Sequence, residues 1–212
     1  MTTLSNFFSF LATAVLTFLQ TLPAAAAPPS PPNPAVARVY GVERAGSEIK
    51  FQVKSRLKTI EGVFENWKAQ IDFDPAHLDG LQLGLQAESA SIKTGNSFEE
   101  TLIRGETFFA AEKHPEVSVA SKKIDAVSAG GFRMEADLTL RGTTHSVAIP
   151  FTLEFNGEQE GLMRGEFDFS RRDFGITYNM VLNPIEDTVK VIVTLKIRGQ
   201  KPEVSSPSST KN

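Results

Sequence analysis

The chain has 212 residues, no cysteine and a formal net charge of −3, with 22 basic and 25 acidic side chains mixed along it. Without cysteine there are no disulfides, no thiol nucleophile and no soft metal ligand. Without a basic block, nucleic acid is a poor partner.

Residues 1–37 contain no Lys, Arg, Asp or Glu. Phe7 to Leu22 is an apolar run broken by small or polar residues, and Ala24-Ala25-Ala26-Ala27 follows Pro23. That pattern predicts a secretory signal peptide over residues 1–27, cleaved near Ala26 or Ala27, and hence a periplasmic or secreted protein. The alternative is a retained anchor, although the run is at the short end of what spans a bilayer. Residues 28–37 read as a Pro-rich linker whose proline run extends about 20 Å at ~3.1 Å per residue. Residues 200–212 are Ser- and Pro-rich and read as a disordered tail. The span 38–199 is the size of one domain, large enough for a proper core.

That span alternates with period two. Ile49, Phe51 and Val53 alternate with Lys50, Gln52 and Lys54. Trp67, Ala69, Ile71 and Phe73 alternate with Lys68, Gln70, Asp72 and Asp74, and Leu81, Leu83, Leu85 and Ala87 face away from Gln82, Gln86 and Glu88. Val117 and Val119 mark a fourth segment. Phe132 to Leu140 and Val147 to Phe155 alternate cleanly, and Met163 to Phe169 and Val189 to Ile197 complete the set. Side chains on a strand point to opposite faces in turn, so each segment has one dry and one wet face. Eight such strands predict an antiparallel sheet.

Gly130-Gly131, Arg141-Gly142 and Asn156-Gly157 supply hairpin chemistry between strands. Only Ser97 to Glu112 breaks the rhythm. Leu102, Phe108 and Phe109, with Glu99-Glu100 near the start and Pro115 beyond the end, predict one or two short helices there. The fold class is all-β with a short helical insert. Periodicity alone admits both a sandwich and an eight-stranded barrel; strands of about ten residues, roughly 30 Å, favour the barrel. Twelve Phe against two Tyr and one Trp in this span would suit an apolar lumen, or equally an ordinary core.

Catalytic and metal-binding signatures are scarce. His77 and His114 sit beside prolines in loop contexts, and His145 starts a strand with no acid at ligand spacing, so all three read as solvated. No G-x-S-x-G elbow or phosphate-cradling glycine loop occurs. Asp72 and Asp74 share the wet face of one strand and read as a solvated edge rather than an acid–base pair. Catalytic residues, metal and cofactor are all expected to be none.

Two polar clusters ask for a reason: Ser91-Ile92-Lys93-Thr94-Gly95, and Arg171-Arg172-Asp173-Phe174-Gly175-Ile176. With YGVERAGSEIKFQVKS, GVFENWKAQIDFDP, FFAAEKHPEVSVASKKI and LTLRGTTHSVAIPF they stand in the order found in the YceI-like family, which the chain resembles from Tyr40 to about Arg198. The resemblance implies an eight-stranded antiparallel lipocalin-like barrel. It also implies a secreted or periplasmic, non-enzymatic carrier for a polyisoprenoid or other long apolar lipid, with some members linked to stress or acid response. The family's motif positions fall here on Ser91, Ile92, Thr94 and Gly95, on Leu138, Thr139, Arg141, Gly142 and Thr144, and on Arg171, Asp173, Phe174 and Gly175. Thr94, Gly95, Arg141, Gly142, Arg171, Asp173 and Gly175 are read first as scaffold: turns, with Asp173 ion-paired to a neighbouring arginine.

In such a barrel the dry faces would line the lumen, giving Phe51, Val53, Trp67, Ile71, Met134, Leu138, Phe151, Phe167 and Phe169 as lipid-contact candidates. Phe108 and Phe109 on the helical insert would form a lid. The expected partner is a long-chain lipid, with no nucleic acid and no metal, and a homodimer is compatible with this reading. Two other classes compete: a non-catalytic partner of a membrane redox or stress-response system, and a lipid-modifying barrel enzyme.

Overall fold

The alternating segments become strands, and the strands close on themselves. The computed structural model describes residues 39–74, 77–157, 160–178 and 181–200. The expected signal segment and linker lie outside these residues, as does the expected tail except for Gln200, which ends the last strand. In chain order the strands are β1 (Val39–Ser55), β2 (Thr59–Phe64), β3 (Trp67–Asp74), β4 (His77–Glu88) and β5 (Ile92–Lys93), then helix α1 (Ser97–Arg104). After the helix come β6 (Glu116–Ser128), β7 (Gly131–Leu140), β8 (Thr143–Asn156), β9 (Glu160–Ser170) and β10 (Ile185–Gln200). Single 3-10 turns cover Ser89–Ser91 and Arg171–Phe174.

All strand pairs given for the sheet are antiparallel, in the order β10-β9-β8-β7-β6-β4-β3-β1-β2-β5, and β10 returns to pair with β1 from Val39↔Gln200 to Ser55↔Ile185. That last pairing closes the barrel and excludes the sandwich. β2 and β3 form one barrel strand interrupted at Glu65-Asn66, and β5 takes over from β4 opposite β2, so the wall is eight strands around. Arg44 pins the interruption: its guanidinium lies 4.0 Å over the Trp67 ring and donates to the carbonyls of Trp67 and Glu65.

β2 is absent from the sequence expectation. Its inward positions are Ile60, Gly62 and Phe64, and glycine erases the alternation signal there. The Phe51 ring lies where a side chain at position 62 would project: an added Cβ would come within 2.4 Å of it. His77 is corrected from a loop residue to the first residue of β4.

Between β7 and β8, Arg141 (φ 52°) and Gly142 (φ 73°) occupy the two central positions of a two-residue turn, both left-handed as a type I′ hairpin requires. Gly142→Val should cost about 1–3 kcal/mol, because a branched side chain is strained at positive φ and its Cβ would sit 3.1 Å from the His114 ring. Chemical denaturation of wild type and variant measures it, and coincident curves would contradict the turn geometry.

The two ends of the barrel differ. The hairpins β3–β4, β6–β7 and β8–β9 gather at one end. Buried Tyr40, Ile71, Leu81, Phe132, Leu153 and Ile197 fill that end. α1, the β1–β2 and β7–β8 turns and the 171–184 connection gather at the other.

Candidate functional site

The lumen holds an apolar cavity displaced toward the α1 end. Its walls include Phe51, Leu85, Met134, Ile149, Met163 and Phe167, and its floor is Phe151, stacked on Phe132 at 5.1 Å. Inward valines such as Val117, Val119, Val189, Val191 and Val193 are only half-buried because they face this space rather than other side chains. About 160 Å³ of the lumen is open to the centre of a water molecule.

The cover is built from α1 and the residues after it. Asn96 caps the helix, its side chain accepting from the N–H groups of Phe98 (3.0 Å) and Glu99 (3.3 Å), and the acidic first turn suits the helix dipole. Thr94 Oγ1 bonds the backbone of Asn96, and Gly95 takes φ +77°, so this motif sets the entry angle of α1. Leu102 and Ile103 then face the cavity. Phe108 and Phe109 lie in the turns beyond α1 rather than on it, a correction of detail, and both line the cavity. Phe109 meets Phe64 edge-on at 6.2 Å, and Phe108 meets Tyr178 of the 171–184 connection at 4.9 Å.

A polar clamp fastens the helix from below. The Glu100 carboxylate, buried, accepts from the Thr94 N–H (3.2 Å), Lys93 (3.2 Å) and Arg104 (3.1 Å). Burial works to raise its pKa, but those three donors outweigh burial and hold it below the ordinary glutamate value.

The second motif fastens the opposite side of the mouth. Arg171 is 2% exposed and donates to the carbonyls of Ile176 (2.7 Å), Tyr178 (2.8 Å), Glu186 (3.0 Å) and Ile185 (3.1 Å), while pairing with Asp187 at 3.0 Å. Burial draws its pKa below the usual guanidinium value, with Asp187 opposing, yet arginine stays charged at any physiological pH. The expected Asp173 ion pair is corrected: both arginines pair with Asp187, and the Asp173 carbonyl instead bonds the His145 ring at 3.0 Å. Arg141 reaches the carbonyl of Gly175, the left-handed cap of this turn, at 2.9 Å.

Of the expected lumen residues, Phe51, Val53, Phe108, Phe109, Met134, Leu138, Phe151, Phe167 and Phe169 line the cavity. Trp67 and Ile71 do not, and this is a correction. Both are buried, but Trp67 is taken up by Arg44 at the β2–β3 break, and Ile71 packs in the filled end beside Tyr40 and Leu83. Sequence reasoning missed Ile60, Phe64, Leu102, Ile103, Ile176 and Glu99. Gly62 between Ile60 and Phe64 hides their alternation, and Ile176 carries no signal of its own. Glu99 and Arg171 are the charged residues on the lining, and Glu99 is ion-paired with Lys58 across the mouth.

The sequence profile of YceI-like domains matches residues 40–197. The chain belongs to this family. A UPF0312 protein of Staphylococcus epidermidis is 26% identical over 152 residues, covering 68% of this chain and 85% of its own. A UPF0312 protein of Pseudomonas syringae pv. syringae is 26% identical over 152 residues, covering 67% and 78%. Among solved folds, BcnA of Burkholderia cenocepacia superposes with a TM-score of 0.69 at 23% identity, covering 73% of this chain and 98% of its own. A polyisoprenoid binding domain from Saccharophagus degradans, implicated in plant cell wall breakdown, superposes at 0.62 with 14% identity, covering 77% and 99%. At these identities the solved structures establish the barrel fold and nothing finer.

Proposed function

We propose that the chain is a non-enzymatic carrier of a long apolar lipid, held in the lumen with its end at the α1 mouth. The observation that carries this reading is the apolar cavity itself, enclosed by a closed barrel and covered by Phe108 and Phe109. The polyisoprenoid named for the Saccharophagus domain supports a branched long-chain ligand. The two charged residues on the lining are both held in ion pairs, Glu99 with Lys58 and Arg171 with Asp187, which suits binding better than proton transfer.

Size limits how the ligand sits. An apolar cavity of about 150 Å³ accommodates one benzene ring. A long chain therefore enters only if lining side chains rotate, or if part of it runs out through the mouth. Burial at ~0.8 kcal/mol per carbon would sum to roughly 30 kcal/mol for forty carbons. Affinity saturates near 18–21 kcal/mol, so side-chain displacement and lost chain freedom must offset much of that. The remainder still implies slow release.

The export reading belongs to the same proposal: the uncharged apolar segment and Ala24–Ala27 direct the chain out of the cytoplasm, with a mature start near Ala27 or Pro28. N-terminal sequencing of exported protein tests it, and a start at Met1 would overturn it. For the cavity, the delipidated chain is titrated with a fluorescent polyene fatty acid and then with a polyisoprenoid alcohol. Emission should rise and then fall as the alcohol displaces the probe. No rise would overturn lipid binding, and a rise without competition would overturn the polyisoprenoid assignment.

A further inference from the structure

Six large apolar side chains stand exposed among the described residues: Leu57, Phe98, Val127, Phe155, Val181 and Leu182. Four of them surround the mouth. Leu57 (76% exposed) is at the tip of the β1–β2 turn, Phe98 (75%) is on the first turn of α1, and Val181 (94%) and Leu182 (81%) are in the 171–184 connection. Their segments touch: the Leu57 N–H donates to the Asn183 side chain at 3.2 Å, and Lys58 pairs with Glu99, beside Phe98. Phe98 is four residues from Leu102, which lines the cavity, so the helix carries one apolar face from the lumen out to the rim. The two remaining residues are at the filled end, where Phe155 packs on Tyr40 at 6.0 Å and Val127 is next to the β6–β7 turn. Single exposed apolar residues are ordinary; a set of four around one opening is not.

The charge pattern selects the partner. Residues 176–185 carry no charged side chain, an unusual composition for a surface connection that presents Val181 and Leu182 to solvent. The β1–β2 tip places exposed Leu57 between exposed Arg56 and Lys58. Apolar tips beside the Arg56 guanidinium suit the interface of an anionic bilayer, where the side chains enter the acyl boundary and the guanidinium meets the headgroups, Lys58 being already paired with Glu99. A lipid leaving the cavity there would pass along Leu102 and Phe98 with little exposure to water.

We propose that the mouth rim, Leu57, Phe98, Val181 and Leu182, docks on an anionic lipid bilayer and that the cargo crosses between lumen and membrane through that contact. The proposal rests on the lipid-carrier reading. Its test places a tryptophan at the rim (Leu182→Trp) or at the opposite end (Val127→Trp) of the full chain, with the emission of Trp67 in the parent subtracted. Each protein is mixed with phosphatidylcholine vesicles containing one part in four phosphatidylglycerol, with and without dibrominated acyl chains. Leu182→Trp emission should shift to the blue and be quenched by the brominated chains, while Val127→Trp does neither. Residues 1–37 are common to both variants, so any membrane affinity of that segment does not separate them. Absence of shift and quenching at position 182, or equal quenching at 127, would overturn docking by the mouth. Lipid extracted from the same preparations is weighed separately: cargo without quenching refutes the docking alone, and quenching without cargo refutes the carrier reading.

Discussion

Replacing Met134 by glutamate is expected to abolish lipid binding while leaving a folded barrel. Met134 is on β7, 3% exposed, and lines the cavity about midway along the wall between Ile149 on β8 and Ile124 on β6. An isolated carboxylate in that apolar space costs several kcal/mol unless protonated or solvated. The cavity gives it a remedy that a solid core would not: water can enter beside it, and that water occupies the volume the lipid needs. The fold is thereby spared and the ligand is not. Glu135→Lys, one residue along on the exposed face, should alter neither property. Lipid per mole of protein after solvent extraction decides the case. A folded Met134→Glu variant with a full lipid load would show that the ligand lies elsewhere.

The second large effect is on stability. Arg171→Ala removes the donor for four backbone carbonyls and the partner of Asp187 in one step. Breaking a buried, hydrogen-bonded charge by removing one partner typically costs about 3–5 kcal/mol. For a barrel of this size that corresponds to a fall in Tm of roughly 10 °C. Arg171→Lys should recover little, because an ammonium lacks the planar fork that reaches carbonyls on both flanks of the connection. Urea denaturation measures the loss, and a cost below about 1 kcal/mol would contradict the clamp. The two variants separate the roles: Met134→Glu empties the lumen of a stable barrel, and Arg171→Ala loosens the mouth and costs stability first.

Much of this was legible in the sequence because the pleat enforces period two. β7 and β8 alternate without interruption, and their turn residues Arg141-Gly142 adopt the left-handed angles that a two-residue hairpin demands. β2 was illegible because Gly62 stands at an inward position and its space is filled by the ring of Phe51, a contact that composition does not encode. The first half of β1 was hidden by the bulge between Glu43 and Glu48, where the register against β10 slips and alternation fails.

The candidate site was legible in one coordinate only. Alternation tells which face a residue takes, so Phe51, Met134 and Phe167 were placed inward from sequence alone. It does not give height along the barrel axis, and height decides whether an inward residue meets the cavity or the packed end. Ile71 was misassigned for that reason, and Trp67 because its ring is engaged by Arg44, twenty-three residues away in sequence. Arg171 was read as scaffold, but its partners were out of reach for a related cause: four of the five are backbone carbonyls, which carry no residue signature.

If this barrel carries an apolar lipid in its lumen, the lipid should leave the cell with the protein and weigh with it. Native mass spectrometry of the exported chain, purified without detergent, tests it most directly. A species heavier than the polypeptide by the mass of one apolar lipid per chain is expected, reverting to the polypeptide mass after solvent extraction. A chain that flies at its bare polypeptide mass, and gains nothing after incubation with a polyisoprenoid alcohol, would contradict it.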